Sequence, residues 1–175
     1  MIKPIPLLRL LPVLLLFSCG RQTPPEPAVV RDPVLYASQS DETLAEISRR
    51  ARETLPVFIR KLQTPAEDEG NFRIKYPFAA DPGSGLSREH LWLGDITFKD
   101  GLYYGTILNE PYYITGLKAG DVTVFDIETI SDWMYTRGEA IIGGLSVKYL
   151  IERIPELDRD AGISAYYRRF QGGAP

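Results

Sequence analysis

The chain is predicted to be α+β: a small, strongly bent antiparallel sheet or partial barrel of about five strands, packed by an N-terminal and a C-terminal helix. Three observations lead there. Between Glu89 and Tyr135, short aromatic and β-branched runs are broken at Lys99-Asp100-Gly101, Asn109-Glu110-Pro111, Gly116 and Gly120-Asp121, the pattern of closely linked antiparallel strands. Upstream, Leu44, Ile47, Ala51, Leu55, Phe58 and Leu62 recur every three or four residues and form one helical stripe. Downstream, Gly143-Gly144 precedes Leu145, Lys148, Tyr149 and Glu152, again at helical spacing.

In chain order, Met1 to Phe17 carries Lys3, Arg9 and no acid, and ends in an apolar run from Leu10 to Phe17. A basic start with so short an apolar run is a secretory signal rather than a membrane span, and Pro4, Pro6 and Pro12 argue against a core helix. Leu16-Phe17-Ser18-Cys19-Gly20 resembles a bacterial lipobox, with a small residue just before the cysteine. Cys19 is the only cysteine in the chain, so it forms no internal disulfide. The resemblance implies a signal peptide over 1–18 and acyl chains (diacylglycerol on the thiol, palmitate-like acyl on the amine) at Cys19. Gly20, in place of Asp, favours the bacterial outer membrane. Arg21 to Pro33 holds four prolines and no period, so 19–36 reads as a lipidated cysteine with a Pro-rich, semi-rigid tether. The net charge of −3 becomes −5 once 1–18 is removed, since Lys3 and Arg9 go and no acid does. That balance argues against nucleic acid and against an anionic bilayer as partners of the folded part.

Residues 37–170 are expected to form one globular domain. The helix over 41–62 has Ser40 as a plausible N-cap, Asp41 and Glu42 at its positive end, and Arg60 and Lys61 at the other. Pro56 should kink or divide it. Phe72, Ile74 and Tyr76 alternate with Arg73 and Lys75 as a half-buried strand, and Ala79 to Ser87 links it to the next as a hairpin loop or a lid. His90, Trp92, Ile96 and Phe98 should share one strand face, with Leu91, Leu93, Asp95 and Thr97 on the other. Strands at 102–108, 112–115 and 122–127 should follow, then a helix near 145–153 and a last segment over 162–170. The Gly-Gly-Ala-Pro end, 171–175, reads as a disordered tail.

His90-Leu91-Trp92, Leu108-Asn109-Glu110-Pro111, Gly116-Leu117-Lys118 with Gly120-Asp121, and Ile130-Ser131-Asp132-Trp133-Met134-Tyr135 occur together in order. On these blocks, and on Gly143-Gly144, residues 70–153 resemble domain of unknown function 2314, the YegJ-like bacterial family. Leu145-Ser146-Val147-Lys148 departs from the family's aromatic-Thr-aliphatic-Arg pattern. The resemblance implies no established activity.

Catalysis finds thin support. His90 is the single histidine, Glu67-Asp68-Glu69 lacks calcium-loop spacing, and no phosphate-binding glycine loop or nucleophile elbow is present, so no cofactor or metal is expected. Glu89 and His90 point to opposite strand faces, so Glu89 is badly placed to orient His90 toward Ser87. Asp132 reads as a turn cap and Trp133 as a plug of the barrel end. The alternative is a recognition patch of Trp92, Asn109, Glu110, Tyr112, Tyr113, Asp132 and Trp133 for an envelope protein, peptide or glycan. The expectation is thus a lipid-anchored envelope protein acting as a non-catalytic binding or structural module. An immunity-type protein that blocks a toxin, or a hydrolase using His90 and Asp132, is the alternative.

Overall fold

The computed structural model describes residues 41–170; the predicted signal, Cys19, the tether and the tail lie outside the described residues. Six strands form one open antiparallel sheet: β1 (Glu69–Ala79), β2 (Arg88–Lys99), β3 (Leu102–Ile107), β4 (Val122–Phe125), β5 (Asp132–Arg137) and β6 (Ala140–Gly143). Their order is β4-β3-β2-β1-β5-β6. Three helices flank it: α1 (Glu42–Gln63), α2 (Leu145–Glu152) and α3 (Ala161–Arg168). The α+β class and bent antiparallel sheet hold, with two differences. Residues 112–115 are not a strand, and Asp132–Gly143 adds a further hairpin to the sheet. No described helix is long and apolar enough to cross a membrane.

α1 lies along one face of the sheet. Its N-cap is Asp41, whose carboxylate accepts from Thr43 N (3.0 Å) and Leu44 N (3.3 Å), in place of the expected Ser40. The helix runs unbroken through Pro56, which is exposed. There the carbonyl that loses its partner can bond to water, which lowers the usual cost of an interior proline. Ala51, Leu55 and Phe58 pack on Ile74, Leu91, Leu93, Ile107, Phe125, Trp133 and Tyr135. Each large side chain fully buried in this way contributes about 1.5–3 kcal/mol.

The opposite face is covered at one end only, by α2 and α3. Trp92, Met134 and Ile141 meet Ile151 and Phe170 there in a second core. Two bulges decide which side chains reach which face. In β2 the register with β3 shifts between Gly94 and Thr97, where Asp95 takes a positive φ of 48°. Trp92 therefore faces α2 and α3, with exposed His90 on the same side of the strand, while Ile96 joins Leu91 and Leu93 on the α1 side. The expected sharing of one face by His90, Trp92, Ile96 and Phe98 fails because one extra residue inverts the alternation. β1 carries a matching bulge between Gly70 and Arg73, with Asn71 at φ 52°. The 80–87 segment is a plain hairpin loop, closed by Ala80 N to Ser87 O (3.2 Å).

Candidate functional site

The centre of the second face is a polar row in an otherwise apolar layer. Lys75 of β1 pairs with Trp92 of β2 on one side and with Asp132 of β5 on the other. Its Nζ donates to Ser146 Oγ (3.3 Å) and lies 5.4 Å from the centre of the Trp92 ring. Asp132 is buried, and both carboxylate oxygens are used: Oδ1 accepts from Trp133 N (2.8 Å), Oδ2 from Ser146 N (2.8 Å). α2 starts at Gly144, a left-handed residue with no side chain to cap the helix. Asp132 supplies that cap from the neighbouring strand, which fixes α2 to the sheet. Burial raises the Asp132 carboxyl above its ordinary value, against the lowering pull of the Ser146 bonds and the Lys75 charge.

One row along, Ser131 N and Ser131 Oγ both donate to Lys75 O (2.8 and 3.1 Å). His90 Nδ1 stands 2.8 Å from the same Ser131 Oγ. With the hydroxyl proton committed to Lys75 O, Nδ1 is the donor and His90 Nε2 keeps the free lone pair. That polarity is the reverse of a base activating a serine. His90 is exposed, and its partial desolvation against the sheet, with the charges of Lys75 and Arg88, lowers the imidazole from 6.5 to about 4. His90 is therefore neutral at pH 7, and Ser131 itself is buried.

The loop between β3 and β4, residues 108–121, is held by side chains that reach its backbone. Glu89 accepts from Tyr112 N and Tyr113 N (2.8 Å each). Asp81 accepts from Thr115 N (2.7 Å) and from the Thr115 hydroxyl, and Glu110 from Ala119 N (2.7 Å). Asn109 Oδ1 accepts from Trp92 N (2.8 Å), continuing the β2 ladder where β3 has ended. The Thr115 bonds hold the Asp81 carboxyl below its ordinary value. Clasped in this way, the loop presents Tyr112 with 62% of its surface exposed.

The predicted site residues thus separate. Trp92 lies in the α2/α3 core and Trp133 in the α1 core, on opposite faces of the sheet. Trp133 Nε1 donates to Ala51 O (3.0 Å), so the indole locks the sheet to α1 instead of plugging a barrel. Asp132 caps α2 beneath the surface, and Asn109 and Glu110 secure the loop. Tyr112 alone of the set projects into solvent with its ring exposed, beside half-buried Tyr113. Cys19 lies outside the described residues. Sequence reasoning missed Lys75, Ser131 and Ser146 around Asp132, and Glu89 and Asp81 beneath the loop. Only an Asp placed before a Gly-Gly helix start hinted at the first group. Among the described residues no group of three or more His, Cys, Asp or Glu side chains could hold a metal ion.

Residues 41–164 match the family described as uncharacterized proteins conserved in bacteria, DUF2314. The uncharacterized protein YegJ of Escherichia coli K12 is 31% identical over 131 residues, 75% of this chain and 82% of the relative. A Neisseria meningitidis serogroup B protein whose name refers to ankyrin repeats is 33% identical over 138 residues, 76% of this chain and 54% of that relative. No solved structure matches. The match takes in all three helices and all six strands except the last turn of α3. The chain belongs to the DUF2314 family of bacterial proteins.

Proposed function

We propose that this protein is a lipid-anchored component of the bacterial cell envelope, held by acyl chains on Cys19, and that it works as a non-catalytic binding module. The observation that carries the binding reading is the clasped loop at 108–121. Irregular loops of this length inside a compact domain are uncommon and usually functional. Here three carboxylates and an asparagine hold it in place, so an exposed Tyr112 is presented with little ordering entropy left to lose on binding. The partner class is an envelope peptide, protein or glycan that meets an aromatic ring and neighbouring amides.

A hydrolase reading gains nothing from the same geometry. Asp132 is buried with both oxygens accepting from backbone amides, and the Ser131 hydroxyl is turned away from His90. The anchor reading is supported by the Leu16-Phe17-Ser18-Cys19 pattern and the proline-rich stretch after it.

Two measurements test this. Intact-mass analysis of protein from bacterial membranes should show cleavage before Cys19 and acyl mass on it; an uncleaved chain with a free thiol would sink the anchor. A photo-crosslinking residue at Tyr112 in living cells should capture a discrete envelope component, and Glu89→Ala should weaken the capture. A Tyr112 probe that captures nothing, in cells where the protein is folded and exported, would sink the loop reading. Capture of a secreted toxin would favour the immunity-type role instead.

A further inference from the structure

A small cleft opens on the second face of the sheet, away from the loop, where β1, β5 and β6 meet the end of α3. Its volume is about 140 Å³, and its walls include Arg73, Arg169, Asn71, Thr136, Met134, Ile141 and Tyr166. Two guanidinium groups line it and no acid does. Arg49, Lys61, Arg137, Lys148 and Arg153 each pair with a carboxylate. Among the described residues, no carboxylate pairs with Arg73 or Arg169.

Arg169 is held in place, and Arg73 is set by its strand. Arg169 Nε donates to Glu139 O (2.9 Å), and its guanidinium lies 5.8 Å from the centre of the Tyr166 ring. That leaves its terminal nitrogens to serve the cleft. Arg73 projects from the strand next to the β1 bulge. The bulge is itself braced, since Asn71 Nδ2 donates to Thr136 Oγ1 (3.0 Å) and the Thr136 hydroxyl to Gly70 O (3.1 Å). Beside the cations, Met134 and Ile141, both buried, and the Tyr166 ring give the cleft an apolar part.

We propose that this cleft is a binding site for an organic carboxylate that carries a small apolar group. The carboxylate sits between Arg73 and Arg169, where forked guanidinium donors match its geometry. The apolar group lies on Met134, Ile141 and the Tyr166 ring. An apolar cavity of about 150 Å³ accepts a benzene ring, so the space suits a branched or aromatic side chain and no more. The apolar part of the wall gives such a carboxylate a contact that inorganic phosphate lacks. The source is either a free acid or the C-terminus of a peptide. The proposal rests on reading the chain as a binding module, but it places a second contact far from Tyr112.

The test is calorimetric titration of the full chain with four probes: N-acetyl-leucine, the peptide Ala-Ala-Leu, its C-terminal amide, and inorganic phosphate. One or both free carboxylates should bind saturably, and the amide should bind at least about tenfold more weakly. Arg73→Gln should weaken the carboxylate by about tenfold or more, with an unchanged melting temperature in the absence of probe. Arg169→Gln supplies the same reading should Arg73→Gln fail to fold. Binding of the peptide alone assigns a C-terminus, and equal binding of N-acetyl-leucine assigns a free acid; both support the site. No heat from either carboxylate up to about 10 mM would overturn it, as would equal binding of phosphate or of the amide, or carboxylate binding that survives both substitutions. Carboxylate binding with no Tyr112 crosslink would refute the loop and leave the cleft; the converse would refute the cleft and leave the loop.

Discussion

Gly143→Ala should be among the most damaging single-methyl additions in the domain. Gly143 ends β6 with φ at +79°, and a Cβ built there would stand 2.7 and 2.8 Å from Cε3 and Cζ3 of Trp133, with the Trp133 carbonyl oxygen closer still. Carbon atoms want about 3.5–4.0 Å, so the indole would have to retreat by nearly 1 Å. It cannot do so freely. Its Nε1 is bonded to Ala51 O (3.0 Å) and Thr54 Oγ1 (3.2 Å), its ring packs 5.5 Å from that of Phe58, and its carbonyl holds Gly144 N (2.8 Å). Left-handed backbone costs a residue with Cβ about 1–2 kcal/mol, overpacking about 1–3 and a lost hydrogen bond about 0.5–1.5, so the sum is about 2.5–6.5 kcal/mol. Total stabilities of about 5–15 kcal/mol put that at a large share of the fold. Gly101→Ala is the control: φ is +80°, yet nothing lies within 4 Å of the added carbon, so only the backbone cost of about 1–2 kcal/mol should register. Urea unfolding of both variants measures the difference. Equal losses would refute the reasoning, because they would mean that the contact with Trp133 adds nothing.

Three further outcomes follow from the same geometry. Glu89→Ala should raise hydrogen exchange at the Tyr112 and Tyr113 amides by about ten- to a hundredfold, the size of a lost charge-assisted bond, and unchanged protection would contradict the clasp. Asp132→Asn should cost about 1–3 kcal/mol in urea, because an amide NH2 would confront the Ser146 N–H it replaces an acceptor for; a neutral result would mean that the tertiary cap is dispensable. The Ala66 amide, with Lys61 and Arg137, holds the Glu69 carboxyl down at about 2, so its contribution is whole above the unfolded value near 4.5 and fades as pH falls through about 2. The melting-temperature gap between the wild-type chain and Glu69→Gln should therefore narrow on acidification across that window, and a gap that ignores pH would be inconsistent with the ion pairs.

The sequence carried α1 plainly because its stripe repeats at helical period and only one face is buried. It carried β1 to β4 because turns such as Lys99-Asp100-Gly101 are local chemistry. The hairpin β5–β6 was hidden by its own burial. From Asp132 to Tyr135 every residue is buried, since α1 covers one face and α2 the other, and no alternation survives to be read. Tyr112-Tyr113-Ile114-Thr115 misled in the opposite way. Its side chains are those of a strand, but its amides are taken by Glu89 and Asp81, far away in sequence. The face swap in β2 turns on Asp95 at positive φ, which a repeat of aromatic and aliphatic residues does not announce. For the site, residue identities pointed to Asp132 and Trp133 but not to which face each occupies, and the separation of the two indoles needed the fold.

The strand order sets how the chain assembles. β1 to β4 form a meander in which each strand pairs with its successor, and β5 and β6 pair through a two-residue turn. One seam, β1 on β5, joins these two locally made pieces, with Ile74 opposite Trp133. Closing that long loop is the largest single entropic step on the way to the native sheet, and contacts this distant in sequence set the pace of folding. Truncating Ile74 should therefore slow folding, while changes in the β3–β4 loop should mainly hasten unfolding; a folding rate indifferent to Ile74→Val would contradict that order. The indole that bonds to α1 across this seam then acts as a latch, set only after both halves have formed.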